Sequence, residues 1–199
     1  MYNSLRTMLI VSILTAVLTG CGHTPPSNYY ILRAYAQPPS THSTISLGIG
    51  PIRVPEYLQT NMLATSKGSN RLYLAQENRW AEPLEAGINR VISLNLAGLL
   101  RTQDVRTYPW NPKRPPDYAL KVRVLELEAT PGQANLVIES LIVRSSDGAS
   151  LERNMTQFST PMDNSNADSV ASAYSKLFYL FSQDAANSIR GITTDFTDK

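Results

Sequence analysis

The sequence predicts an α/β fold: a single domain with a mixed β-sheet of about five to seven strands and two long helices packed on it. Three observations carry that expectation. Two stretches repeat apolar residues at helical spacing, one opening near Pro83 and one over roughly Ala167–Ile189. Several shorter stretches alternate apolar and polar residues between turn signals. The order is strands, helix, strands, helix, within 199 residues that are 42% hydrophobic and 17% charged, a length and composition suited to one core.

The first residues read as an export address. Arg6 is the only charged side chain before the mostly apolar stretch Met8–Leu18, and small residues follow. At about 1.5 Å per residue that stretch falls far short of the ~30 Å hydrocarbon layer, so a permanent transmembrane helix is not expected. Leu18-Thr19-Gly20-Cys21 resembles the lipobox of bacterial lipoproteins, in which the thiol is acylated before the peptidase cuts ahead of it. Cys21 is the only cysteine in the chain and stands at the one position a lipobox requires. Several acyl chains on one residue, at ~0.8 kcal/mol per buried CH₂, give stable attachment. Gly22 follows where an Asp commonly retains enteric lipoproteins at the inner membrane, so that resemblance points to the outer membrane. The expected layout is a signal peptide over 1–20, a lipid-anchored tether over 21–28, an α/β domain over 29–192 and a frayed tail over 193–199.

Tyr29–Leu32 is the first expected strand, and after a proline-containing linker Ile45–Gly50 alternates apolar and small residues as the second. Pro51 and Pro55 confine the next stretch to an edge or strand end, because neither donates to a ladder. Met62–Thr65 and Arg71–Ala75 read as two short extended pieces around a Lys67–Asn70 turn. Pro83 suits the first turn of a helix, and Leu84, Ile88, Val91, Ile92, Leu96 and Leu99 form its apolar stripe. The proline-rich loop Tyr108–Pro116 separates that helix from a run of strands. In the first of these the apolar phase slips at Val124–Leu125, the mark of a β-bulge or of an edge that twists. Leu136–Val143 is more continuously apolar, hence central. Ser145–Gly148 is a hairpin turn, and Leu151–Thr160 returns as the last strand. The second helix carries Val170, Tyr174, Leu177, Phe178, Phe181, Ala185 and Ile189 on one stripe, with Asp168 near its positive end.

Much chemistry is excluded. Lys+Arg 18 against Asp+Glu 16, with no basic run, offers no case for nucleic acid. A single cysteine forbids an internal disulfide, a Cys₄ zinc site or a CxxC redox pair. Phosphate-loop, dinucleotide, zinc-helix and nucleophile-elbow motifs do not occur. His23 and His42 lie on proline-flanked linkers, poor places to hold a catalytic base or a metal. Glu82 with Glu85, and Glu126 with Glu128, are the carboxylate pairs available for acid/base work, and such positions ordinarily form solvated faces. No catalytic, metal or cofactor residues are assigned, and an enzyme is not expected.

Three segments carry a family resemblance: Asn28-Tyr29-Tyr30-Ile31-Leu32, Val54-Pro55-Glu56-Tyr57-Leu58, and Arg79-Trp80-Ala81-Glu82-Pro83-Leu84. In this order behind the lipobox, they resemble the PqiC-type lipoproteins, the auxiliary components of MCE and ABC-type intermembrane transport systems. The resemblance runs to about Ile189. It includes Asn95-Leu96 and the Leu120–Glu126 pattern, where an extra residue interrupts the spacing before Glu126. It implies a non-enzymatic outer-membrane lipoprotein on the periplasmic face, a homo-oligomeric ring, and an MCE-domain tunnel protein as partner.

Tyr57, Leu58, Arg79 and Trp80 are the candidate partner-binding residues, since Trp and Arg are frequent interface anchors. The competing reading of Trp80 is a side chain that covers the helix start and packs on the sheet. Trp110, beside Lys113 and Arg114, suits either a headgroup-level position or a plain solvent loop. The alternative function is a structural or assembly lipoprotein of another envelope complex, such as a secretion or polysaccharide machine, with no lipid-transport role. A lipid-anchored hydrolase is a third class and would need one of the carboxylate pairs.

Overall fold

A computed structural model describes residues 26–39, 44–66 and 70–197, with side chains described as far as residue 193. Cys21, Gly22, His23, His42 and the turn residues Lys67–Ser69 lie outside the described residues. Along the chain come β1 (Asn28–Tyr30), β2 (Leu47–Arg53), a 3-10 turn (Glu56–Leu58), β3 (Met62–Ser66), β4 (Leu72–Trp80) and α1 (Leu84–Leu100). They are followed by β5 (Val105–Thr107), β6 (Tyr118–Thr130), β7 (Gln133–Arg144), β8 (Ser150–Pro161) and α2 (Ala167–Thr197).

The expected α/β class with two long helices is what the chain forms, and its strands divide between two mixed sheets. The larger runs β5-β2-β6-β7-β8 and the smaller β1-β4-β3. In the larger sheet β2 lies parallel to both neighbours, while β6, β7 and β8 form an antiparallel meander. In the smaller, β1 is parallel and β3 antiparallel to β4.

One face of the larger sheet is apolar and carries the helices. Leu120, Val122 and Val124 point inward from β6, the register shifts between Val124 and Glu126, and Leu127 and Ala129 then take up the inward positions. That shift falls where the apolar phase slips. Leu136, Ile138 and Ile142 continue the face on β7. Helix α1 packs on β2, α2 on β7 and β8, and the helices on each other. The α2 stripe is buried as its spacing requires, with Tyr174, Phe178 and Phe181 among the largest fully buried side chains. In α1 Leu84, Ile88, Val91, Ile92 and Leu96 are buried; Leu100 rather than the half-buried Leu99 closes the stripe.

Several boundaries differ from the sequence expectation. Strand β2 runs through Pro51 to Arg53, with a register shift between Ile49 and Ile52 absorbing the proline. Strand β4 extends to Trp80, so Arg79 and Trp80 end a strand instead of opening a helix. Helix α2 continues past Ile189 to Thr197, into the stretch expected as a frayed tail. No proline stops it, and Arg190 near its end donates to the Leu99 carbonyl at 2.7 Å, tying it to the last turn of α1.

Candidate functional site

The candidate residues fall in two regions, the segment around the 3-10 turn and the outer face of the larger sheet. Pro55 precedes the turn, and the Leu58 N–H closes it on the Pro55 carbonyl at 3.0 Å. That geometry sends Leu58 inward, where it is 3% exposed. Tyr57 packs half-buried beside β6, its hydroxyl oxygen accepting the Leu127 N–H at 3.2 Å. Burial pushes the Tyr57 phenol above its ordinary range, the Leu127 hydrogen bond opposes this, and the charges of Glu126 and Glu128 add to the rise.

Trp80 belongs to the core. It is 5% exposed, its ring stacks near Tyr174 with centroids 6.2 Å apart, and its backbone N–H donates to the Asn61 carbonyl at 2.7 Å. The packing role weighed for it is the one the structure displays. Arg79 is half-buried, with its Nε donating to the Gln76 carbonyl at 3.2 Å. Of the four candidate contact residues, Tyr57 and Arg79 retain accessible surface, while Leu58 and Trp80 are buried. Trp110 also folds inward: a Cβ on Gly48 would lie 2.6 Å from its ring, so the proline-rich loop covers β2 only because that position is glycine.

Of the two carboxylate pairs, Glu82 is held by an ion pair. Glu82 accepts from both the Nε and Nη2 of Arg90, at 3.1 and 2.5 Å, and Nη2 also donates to the Leu32 carbonyl at 2.9 Å. Glu126 and Glu128 act on the Tyr57 phenol through their negative charge. Among the described residues there is no group of three or more His, Cys, Asp or Glu able to hold a metal ion, and no helix long and apolar enough to cross a membrane.

The outer face of the larger sheet holds a cluster that the sequence did not reveal. Register places Arg53, Arg123 and Glu139 side by side across β2, β6 and β7, with Lys121, Leu141 and Arg153 as the next row. Residues two apart in a strand share a face, so these side chains converge away from the helices. They surround a concavity of about 430 Å³ that Pro51 and Tyr108 also line. Arg123 donates to one oxygen of Glu139 at 2.8 Å and Arg153 to the other at 2.5 Å. Those two hydrogen bonds hold the Glu139 carboxyl below its ordinary range. Arg53 and Lys121 make no ion pair among the described residues. Four cations around one carboxylate make the face basic in a chain that is almost neutral as a whole.

A family model described as ABC-type transport auxiliary lipoprotein component matches residues 30–186. Among solved structures, an uncharacterized protein superposes with a TM-score of 0.70 at 19% identity, covering 83% of this chain and 99% of that one. A Xanthomonas campestris protein superposes with a TM-score of 0.69 at 13% identity, covering 85% and 99%. At these identities the two structures establish a shared fold. A comparison with curated protein sequences finds no match.

Proposed function

The chain belongs to the ABC-type transport auxiliary lipoprotein component family, and from that membership we propose that it is an outer-membrane lipoprotein which docks the periplasmic tunnel protein of an MCE/ABC-type lipid transport system. The observation that carries this reading is the extent of the family match, which begins at residue 30, just downstream of the Cys21 lipobox, and takes in nearly all of the folded domain. Acyl chains on Cys21 fix the domain to the periplasmic face of the membrane, and Gly22 favours the outer membrane.

The basic concavity around Glu139 is the surface we assign to the partner, because Arg53 and Lys121 offer charge that no ion pair among the described residues neutralises. Tyr57 and Arg79 are proposed as further contact residues at the edge of the domain. Self-association into a ring would bury Tyr29, Ile31 and Tyr35, exposed at 66%, 42% and 45%.

Gentle detergent purification of the lipidated protein, followed by mass spectrometry of what accompanies it, tests the reading. Recovery of an MCE-domain protein supports it. Recovery of unrelated envelope components, with no MCE protein even after cross-linking, would favour an assembly lipoprotein of another complex. Cys21→Ala is expected to yield an exported protein that no longer sediments with membranes. Light scattering of the mature domain tests the ring, for which a strict monomer over a wide concentration range is the contrary result.

A further inference from the structure

The outer face of the larger sheet already displays how it holds an acid. Arg123 donates to one oxygen of Glu139 at 2.8 Å and Arg153 to the other at 2.5 Å, so two guanidinium groups share one carboxylate. Bonds of this kind, with donor and acceptor both charged, are the stronger sort. Around the same concavity stand four cations, Arg53, Lys121, Arg123 and Arg153, against that one carboxylate. Four less one leaves an excess of three positive charges, more than the +2 of the whole chain. The face therefore concentrates charge that the rest of the molecule does not share.

Register fixes where the excess lies. Arg53 on β2 stands opposite Arg123 on β6, and Arg123 opposite Glu139 on β7. Lys121 comes two residues before Arg123 on the same face of β6. Strands about 4.8 Å apart, with same-face residues about 6.6 Å apart along each, put the Arg53 and Lys121 backbone positions roughly 8 Å from each other. Both residues are exposed, and neither makes an ion pair among the described residues. In an extended chain the side chains at i and i+2 lie about 7 Å apart on one face, so two such carboxylates match these two cations. Apolar surface lies close by. Tyr108, 50% exposed, lines the same concavity, and Met155, 66% exposed, stands opposite Glu139 on β8.

We infer that this face receives an extended acidic segment of the docking partner, with carboxylates two residues apart on Arg53 and Lys121 and apolar side chains against Tyr108 and Met155. The inference rests on the docking reading given above and names what the partner presents. Glu139 keeps Arg123 and Arg153 occupied, so the incoming segment meets the other two cations. A lipid phosphate suits the face less well. A phosphodiester headgroup brings one negative charge where three positive charges are in excess, and the anion the face already holds is a carboxylate.

The test uses the full-length lipidated protein purified in gentle detergent together with its partner. A water-soluble carbodiimide joins an amine to a carboxylate in contact with it, the amide forming as the carbodiimide takes up the water. Mass spectrometry is expected to find Lys121 joined to an Asp or Glu of the co-purified MCE protein that has a second acidic residue two positions away. Lys121→Arg, which keeps the charge, should retain the partner and lose that link. An excess of a Glu-Ala-Glu-Ala-Glu peptide is expected to reduce the link about threefold or more, while glycerol 3-phosphate at the same concentration leaves it unchanged. An MCE protein recovered with Lys121 unlinked, or joined only to Glu139 of its own chain, would overturn this inference alone. A larger loss with glycerol 3-phosphate than with the peptide would give the face to a lipid phosphate, and would also overturn it. Absence of any MCE protein from the purified material would overturn the docking reading and this inference together.

Discussion

Arg90, in the second turn of α1, meets Glu82 ahead of the helix at 2.5 Å and uses the same nitrogen to hold the Leu32 carbonyl at 2.9 Å. One guanidinium therefore ties three pieces of chain, the end of the segment after β1, the entry to α1 and α1 itself. Arg90→Ala is expected to destabilise the domain by about 1–2 kcal/mol. The partly exposed ion pair contributes little of this, and the orphaned Leu32 carbonyl contributes most. Glu82→Gln, which keeps an acceptor for Arg90, is expected to cost less. Urea unfolding of the three proteins checks the order, and equal losses for both variants would contradict it.

Gly98 is where the chain after β1 lies directly on α1. A Cβ there would stand 2.3 Å from the Gln37 carbonyl oxygen and 2.8 Å from the Ala36 side chain. Asn95, one turn earlier, accepts the Tyr35 and Ala36 N–H groups at 2.9 and 3.1 Å, so the strap cannot slide away freely. Gly98→Ala should therefore lower stability by about 1–3 kcal/mol even though alanine favours helix by nearly 1 kcal/mol. In α2, a Cβ on Gly191 would meet nothing within 4 Å. Gly191→Ala is expected to raise stability by up to about 1 kcal/mol through the same propensity. Thermal melts of the pair should move in opposite directions.

Much of this fold was legible because its signals are local. The α2 stripe from Val170 to Ile189 and the phase slip after Val124 are periodicities that packing simply obeys. The division into two sheets was not legible, since β1 and β5 are three-residue strands whose partners lie far along the chain. Strand β4 looked shorter than it is because Gln76–Arg79 are polar on both faces, as an outer strand allows. The burial of Leu58 and Trp80 depends on the Pro55 turn and on Tyr174, which a motif reading does not see. The basic face escaped notice for a related reason. Arg53, Lys121, Arg123 and Arg153 sit on three strands spread over half the sequence, and only register assembles them.

Glu139 gives the domain an acid-sensitive contact. Its carboxyl lies below its ordinary range because Arg123 and Arg153 both donate to it. A carboxyl depressed in the folded state stabilises the fold fully above its ordinary pKa and loses that contribution as pH falls through the depressed value. Stability should thus be insensitive to this group between pH 7 and about pH 5 and should decline below about pH 4.5. Glu139→Gln is expected to make the decline shallower, as seen in denaturant midpoints between roughly pH 5 and 3. Parallel profiles for the two proteins would remove Glu139 from the acid response.

The two cations that Glu139 does not reach give the sharpest test of the docking face. Arg53 ends β2 and Lys121 lies on β6 beside it, both exposed and neither in an ion pair among the described residues. Reversing them with Arg53→Glu and Lys121→Glu removes no internal contact of that kind, so the melting temperature should change little, as for surface substitutions of about 0.5 kcal/mol. Charge at an interface acts mainly on encounter, and reversal at two positions is expected to slow association with the captured partner about tenfold or more at low salt. The difference should shrink as salt rises through about 0.5 M, where the Debye length falls below the span of the concavity. Surface-plasmon measurements on the co-purified partner across a salt series read both effects. Association that is unchanged by the reversal, with the same salt slope as the parent protein, would move the contact away from this face and toward Tyr57 and Arg79.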